Sequence, residues 1–239
     1  PDGIRDSWLD DVWVNREIKA YIGGEDWPRA DFQMIFNGIV ADIDSSARDK
    51  IHIKLRDKFQ RLNTPLSETL LGGSTPNAGM LIPMTFGECH NVSPLLTDPA
   101  TLEFQVHNGP VESIFEVRDN GLPVSATVNN ATGKFTLNAS PAGAITVSVQ
   151  GDKPSTYYNT ISRLVQRIVT GYGKTSEQFT SGDLDATNLA AFEAAHTQPV
   201  GLYISSRENV IEACKKLASS IGAQIAMTRL GLLRLIQID

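Results

Sequence analysis

The chain has 239 residues, 41% of them hydrophobic and 20% charged, a composition of folded domains rather than disordered segments. A formal net charge of -6 supplies no overall basic field for nucleic acid, and no apolar run approaches the roughly 18–20 residues of a membrane-spanning helix. Two cysteines, Cys89 and Cys214, do not make a disulfide framework and are expected as reduced, buried small hydrophobes.

The chain starts at Pro1 without an initiator Met or a basic-plus-apolar leader, which reads as a trimmed or excised end. The run VWVNREIKAYI alternates: Val12, Val14, Ile18, Ala20 and Ile22 fall on one side, Trp13, Asn15, Glu17 and Lys19 on the other. Gly23-Gly24 and Trp27-Pro28 end this strand. In the next run Phe32, Met34 and Phe36 hold one phase while Ile39, Ala41 and Ile43 hold the opposite one. A β-bulge at Gly38 produces such a slip. Ser45 to Asp49 read as a polar turn, and IHIKLRD returns as the partner strand with Ile51, Ile53 and Leu55 inward. Together these predict a small, twisted antiparallel sheet of barrel-like form.

Residues 71–83 (LGGSTPNAGMLIP) have no periodicity and read as a linker. Residues 84–152 are β-like again. The turn signals Asp119-Asn120-Gly121 and Asn130-Ala131-Thr132-Gly133 separate FEVRD, KFTLNA and AITVSVQ, a β-rich subdomain or insertion. After Pro154 the spacing becomes helical. Tyr157, Ile161, Leu164 and Ile168, with Tyr158 and Val165 beside them, predict a helix capped by Ser155 or Thr156 and ended by Gly171. A weaker helix covers 186–196. In a third, Ser205 and Glu208 form a capping box ahead of Val210, Cys214, Leu217 and Ile221, with Gly222 past the end. AQIAM and LLRLIQI close the chain as a hairpin around Gly231.

Several strings imitate reactive motifs and fail on their own mechanics. GYGKTS at 171–176 has Ile168 where a phosphate loop needs its first Gly, and it follows a helix rather than a strand. DLDAT at 183–187 lacks the buried apolar strand that presents an aspartyl nucleophile, and reads as an exposed loop in which Asp185 or Thr187 caps a helix. DIDSSA at 42–47 has Ala47 and Ile53 where a calcium loop needs Gly and Glu. His52, His90, His107 and His196 have no metal-ligand spacing, and Cys89-His90 is a pair without a second half. Nothing resembles a nucleophile elbow. The Asn-x-Ser/Thr strings at Asn91, Asn130 and Asn138 are read as turn chemistry. No catalytic, cofactor-binding or metal-ligating residue is assigned. Trp8, Trp13 and Trp27 cluster near the start and suit an interface or core, or else a sugar platform.

GGEDWPRADFQMIFNGIVADI followed by IHIKLRDKFQRLNTPLSETLLGG resembles the first part of tail proteins from long-tailed (siphovirus-like) bacteriophages and gene transfer agents. LIPMTFGECHNVSPLLTDPATLEFQVHNGPVESIFEVRDNGLPV, and then Tyr157 to Asp239 with PVGLYI, are similar to later parts of the same tail-hub proteins, in the same order. The resemblance implies a homotrimeric structural protein of the tail tip or baseplate hub, without catalytic residues. Its partners would be itself and other tail proteins, its cofactors none, and its place the virion tail tip after assembly in the bacterial cytoplasm. Hub proteins of this kind often run longer. The expected class is α+β and β-rich: small antiparallel β-barrel-like domains plus an α+β C-terminal domain. The divisions are 1–70 barrel-like, 71–83 linker, 84–152 β-rich and 153–239 hub-like. Trp8, Trp13, Trp27, Arg29, Lys54 and Arg56 are the candidate interface residues. The alternative is a host-surface module that recognises glycan.

Overall fold

A computed structural model describes residues 6–47 and 50–237. The class is α+β and rich in strands, as expected. Strands β1 (Glu17–Ile22), β2 (Gln33–Ala47) and β3 (Lys50–Arg56) form an antiparallel sheet in the order β1-β2-β3. This sheet is open, which corrects the barrel-like expectation: three strands twisting roughly 20–25° per pair turn too little to bring their edges together. The start at Val12 is corrected too. Asn15 sits at φ 67° and the Arg16 N–H donates to the Trp13 carbonyl, so the chain turns just before β1; backbone bonds to Val40 begin at Asn15 and Arg16, and Val12 and Val14 stay exposed.

The phase slip is present, but not at Gly38. Ile35, opposite β1, and Ala41, opposite β3, are unpaired extra residues on β2, and the register against β3 shifts once more between Asp44 and Ala47. Gly38 answers a different need, because a Cβ there would lie 2.3 Å from the Arg56 carbonyl oxygen. The polar turn at 45–49 falls partly on residues 48 and 49, outside the described residues, as does the start at Pro1; β2 itself runs on through Ala47.

A 3₁₀ turn, Lys58–Leu62, comes after β3, with the Asp57 carboxylate accepting the Phe59 N–H. The supposed linker folds back on itself. The Leu71 and Gly79 N–H groups donate to the Met80 and Leu71 carbonyls, and the Ile82 N–H donates to Thr69.

Next come β4 (Met84–Val92), β5 (Leu95–Asp98), β6 (Glu103–Gln105), β7 (Val111–Asp119), β8 (Leu122–Pro123), β9 (Ala126–Asn129), β10 (Lys134–Leu137) and β11 (Ile145–Asp152). The Asn120-Gly121 turn has φ of 48° and 81°, as a tight β7–β8 hairpin requires. A four-stranded sheet, β5-β6-β10-β9, packs on the sheet containing β4, β11, β7 and β8. Val106, Phe135, Val147 and Val149 make their shared core, with Phe104 stacked on Phe135 at 5.4 Å. Strand β12 (Gly201–Ile204) joins this sheet by pairing with β4, and Met84 and Phe86 of β4 enter the helical core, so residues 84–152 are knitted to the C-terminal part of the chain.

That second core lies among α1 (Ile161–Gly171), α2 (Ala186–Ala195), α3 (Val210–Ser219) and the hairpin β13 (Ala223–Met227)–β14 (Leu233–Gln237) around Gly231. Ile161, Leu164, Val165 and Ile168 occupy one stripe of α1, each at most 1% exposed. Helix α1 starts later than expected, with Thr160 at the N-cap position but its hydroxyl donating to Glu193, and Gly173 (φ 79°) rather than Gly171 carries the left-handed turn after it. The capping box of α3 is not formed. Pro65 bridges Asn209 and the Val210 N–H donates to the Thr64 carbonyl, which holds the approach extended, so Asn209 is the cap position. Glu208 instead pairs with Lys216 at 2.7 Å.

Candidate functional site

Neighbours across an antiparallel ladder point to the same side. The pairs Ile18–Gly38, Ala20–Phe36, Val40–Leu55 and Ile43–Ile53 therefore give the N-terminal sheet one apolar face, extended by Ile51 and Ile22. The pairs Lys19–Asn37, Asp42–Lys54 and Asp44–His52 make the other face polar. On this polar side Ile39 is buried and lines a cleft with Glu17, Lys58, Arg61 and Asp183, where the sheet meets the C-terminal part. The apolar face is only partly covered: Ile53 and Leu55 are each 41% exposed, which corrects the expectation that they point into a core.

Among the described residues, none before Leu62 belongs to either core cluster. Of the 17 exposed large apolar side chains among them, nine precede Lys58: Leu9, Val12, Val14, Tyr21, Ile22, Trp27, Ile35, Ile53 and Leu55. Three of these, Ile22, Ile53 and Leu55, lie on the apolar face of the sheet and form its uncovered part.

The candidate interface residues divide. Trp8 and Trp13 pack on each other at 5.4 Å, Trp13 Nε1 donates to the Trp8 carbonyl, and Arg16 lies over the Trp13 ring. Lys54 is held within its own sheet by Asp42 and Asp44 at 2.9 and 3.0 Å, and its ammonium keeps the Asp42 carboxyl below the usual range. Arg56 is exposed beside a groove between Phe59 and Ile211. Trp27 and Arg29 line a separate concavity of about 540 Å³ with Tyr21 and Phe32.

Two buried polar clusters carried no sequence signal, since their members are far apart in the chain. In one, Asp152 Oδ2 accepts from Arg167 Nε at 2.7 Å and Asp152 Oδ1 lies 3.6 Å from His107 Nε2. His107 Nδ1 accepts the Thr85 N–H, and the Arg167 guanidinium covers the Tyr172 ring. Burial would raise the Asp152 pKa, but His107, Arg167 and Tyr172 outweigh it and hold the carboxyl below its ordinary value. In the other, Lys58 Nζ meets Asp183 Oδ1 at 2.7 Å. The DLDAT segment is thus only partly the exposed loop expected: Asp185 caps α2 through the Asn188 N–H, but Asp183 is buried.

GYGKTS follows α1, as its position in the sequence requires. Cys89 and Cys214 are free and buried, and burial pushes the Cys89 thiol up to about 12. His90 contacts Glu88 and Phe115, His196 packs on Phe192, and His52 is exposed on β3. Among the described residues no three His, Cys, Asp or Glu side chains converge as metal ligands, and no helix is long and apolar enough to cross a membrane. No protein-family model, curated protein or solved structure matches the chain.

Proposed function

We propose that the chain is a structural subunit of a phage tail tip or baseplate hub. It would assemble with copies of itself around the tail axis and link the tail tube to tip or receptor-binding proteins. Homotrimeric assembly, a virion location and a role without catalysis are parts of this reading. The observation that carries it is the apolar face of β1, β2 and β3, buried at Val40 yet left exposed at Ile22, Ile53 and Leu55, which suits a sheet completed by another chain. The ordered likeness of the GGEDWPRADFQ, IHIKLRDKFQRLNTPL and PVGLYI stretches to tail-hub proteins supports reading that other chain as a further copy or another tail protein.

Mass photometry of the purified chain tests the assembly. The expected result is a trimer that falls to monomer when charges enter the apolar face in the variant Ile53→Lys/Leu55→Glu, with the far-UV spectrum retained. A wild-type monomer at all concentrations removes the self-assembly. Particles made without the protein should lack a tail tip, and complete, infectious tails would remove the tail role.

A further inference from the structure

We propose that the concavity formed by Tyr21, Trp27, Arg29 and Phe32 is a binding site for a neutral saccharide ring. The site is built by the local sequence. Gly23 and Gly24 lie directly under the aromatic rings, since a Cβ on Gly23 would sit 2.3 Å from Phe32 and one on Gly24 2.9 Å from Trp27 Nε1. Any larger residue at either position would push its ring away, so the Gly-Gly pair lets Phe32 and Trp27 wall a recess of about 540 Å³. Trp27 is 54% and Tyr21 51% exposed, so broad aromatic surface faces solvent there. The remaining lining group, Arg29, makes no ion pair with any described residue.

The charges select the ligand class. Arg29 lines the recess, while Glu25, Asp26 and Asp31 are exposed in the same turn without lining it. An anion would meet the three carboxylates and a cation would meet the guanidinium. A pyranose meets neither objection. Its C–H face stacks on an aromatic ring, and its hydroxyls accept from the guanidinium. Small-molecule sites commonly combine apolar walls with a few polar groups in this way. The proposal does not depend on the tail-tip reading, because the recess lies within one copy of the chain.

The test screens the full chain on an array of neutral glycans and titrates the best binder calorimetrically. Titration is repeated by fluorescence in a Trp8→Phe/Trp13→Phe background, where Trp27 is the one emitting indole. The expected result is saturable binding that changes the Trp27 emission and weakens roughly tenfold in Trp27→Ala and in Arg29→Ala, the size expected for losing one stacked ring or one charged hydrogen-bond donor. Circular dichroism confirms that the variants fold, and Trp13→Ala should bind as the wild type does. Absence of binding to every neutral glycan overturns the proposal, as does binding that survives both recess variants. If Trp27→Ala instead changes the oligomeric mass and no saccharide binds, the recess is a protein contact and the proposal fails while the assembly reading stands.

Discussion

Replacing Lys58 with Met removes a charge buried where the N-terminal sheet meets the C-terminal part. Lys58 is 5% and Asp183 6% exposed, and their charged atoms lie 2.7 Å apart, with Glu17 Oε1 3.4 Å from the same ammonium. At an effective dielectric of about 20 the attraction is about 6 kcal/mol, against a desolvation penalty of several kcal/mol for each ion. The pair is therefore close to neutral overall, but losing one partner is costly because the other stays buried and charged. Asp183 would keep the Thr180 N–H and hydroxyl, each at 2.9 Å, and Arg61 at 3.9 Å. These remaining partners put Lys58→Met near the low end of the range for breaking a buried pair, about 3 kcal/mol. The double variant Lys58→Met/Asp183→Leu removes both charges and should recover most of that loss. Urea unfolding of the wild type, the two singles and the double makes a closed cycle. A single variant within about 0.5 kcal/mol of wild type, or a double as unstable as the sum of its singles, would refute the reasoning.

The His107–Asp152–Arg167 cluster should show in acid. The Asp152 pKa is lowered on folding, so its contribution is present above the unfolded value of about 3.9 and is lost as pH falls through the lower folded value. Asp152→Asn should cost about 2 kcal/mol at pH 7 by leaving Arg167 unpaired, and should flatten the fall in Tm between roughly pH 5 and pH 2 relative to wild type. An unchanged acid profile would separate Asp152 from this dependence. For the cysteines, a thiol reagent such as dithionitrobenzoate at pH 8 should label neither Cys89 nor Cys214 in the native chain and both in urea; fast native labelling would contradict their burial.

Periodicity made much of the fold legible. The stripe of α1, the Asn120-Gly121 hairpin and the β13–β14 hairpin are local patterns, and local physics decides them. Where the reading failed, a distant contact had decided. Ser205 and Glu208 look like a capping box, but pairing of Asn209 with Pro65 keeps that segment extended. Asp183 looks exposed until the chain brings Lys58 to it across 125 residues. The cluster of His107, Asp152 and Arg167 had no sequence signature for the same reason. The recess was half legible, since Trp27 and Arg29 stood out whereas Tyr21 and Phe32 join them only through the fold of the adjoining turn.

The N-terminal sheet separates two things that a sequence pattern runs together. Alternation at Ile51, Ile53 and Leu55 states which side of a strand is apolar, and β3 obeys it, with His52, Lys54 and Arg56 on the opposite side. Alternation cannot state whether anything lies against that side. In residues 84–152 the same type of pattern is answered within the chain, because the sheet of β5, β6, β10 and β9 lies over β4, β11 and β7 and drives Val147 and Val149 to 1% exposure or less. In residues 17–56 it is answered only in part: Val40 is buried, but Ile22, Ile53 and Leu55 of the same face are exposed, and an exposed apolar face costs solubility. Among the described residues the body of the chain occupies the polar side through Ile39 and Lys58, while on the apolar side Val40 is buried and Ile53 and Leu55 are left exposed, which is what the proposed assembly would cover. Charging Ile53 and Leu55 is accordingly the perturbation that separates a subunit from a free-standing domain: it should leave folding intact and abolish assembly.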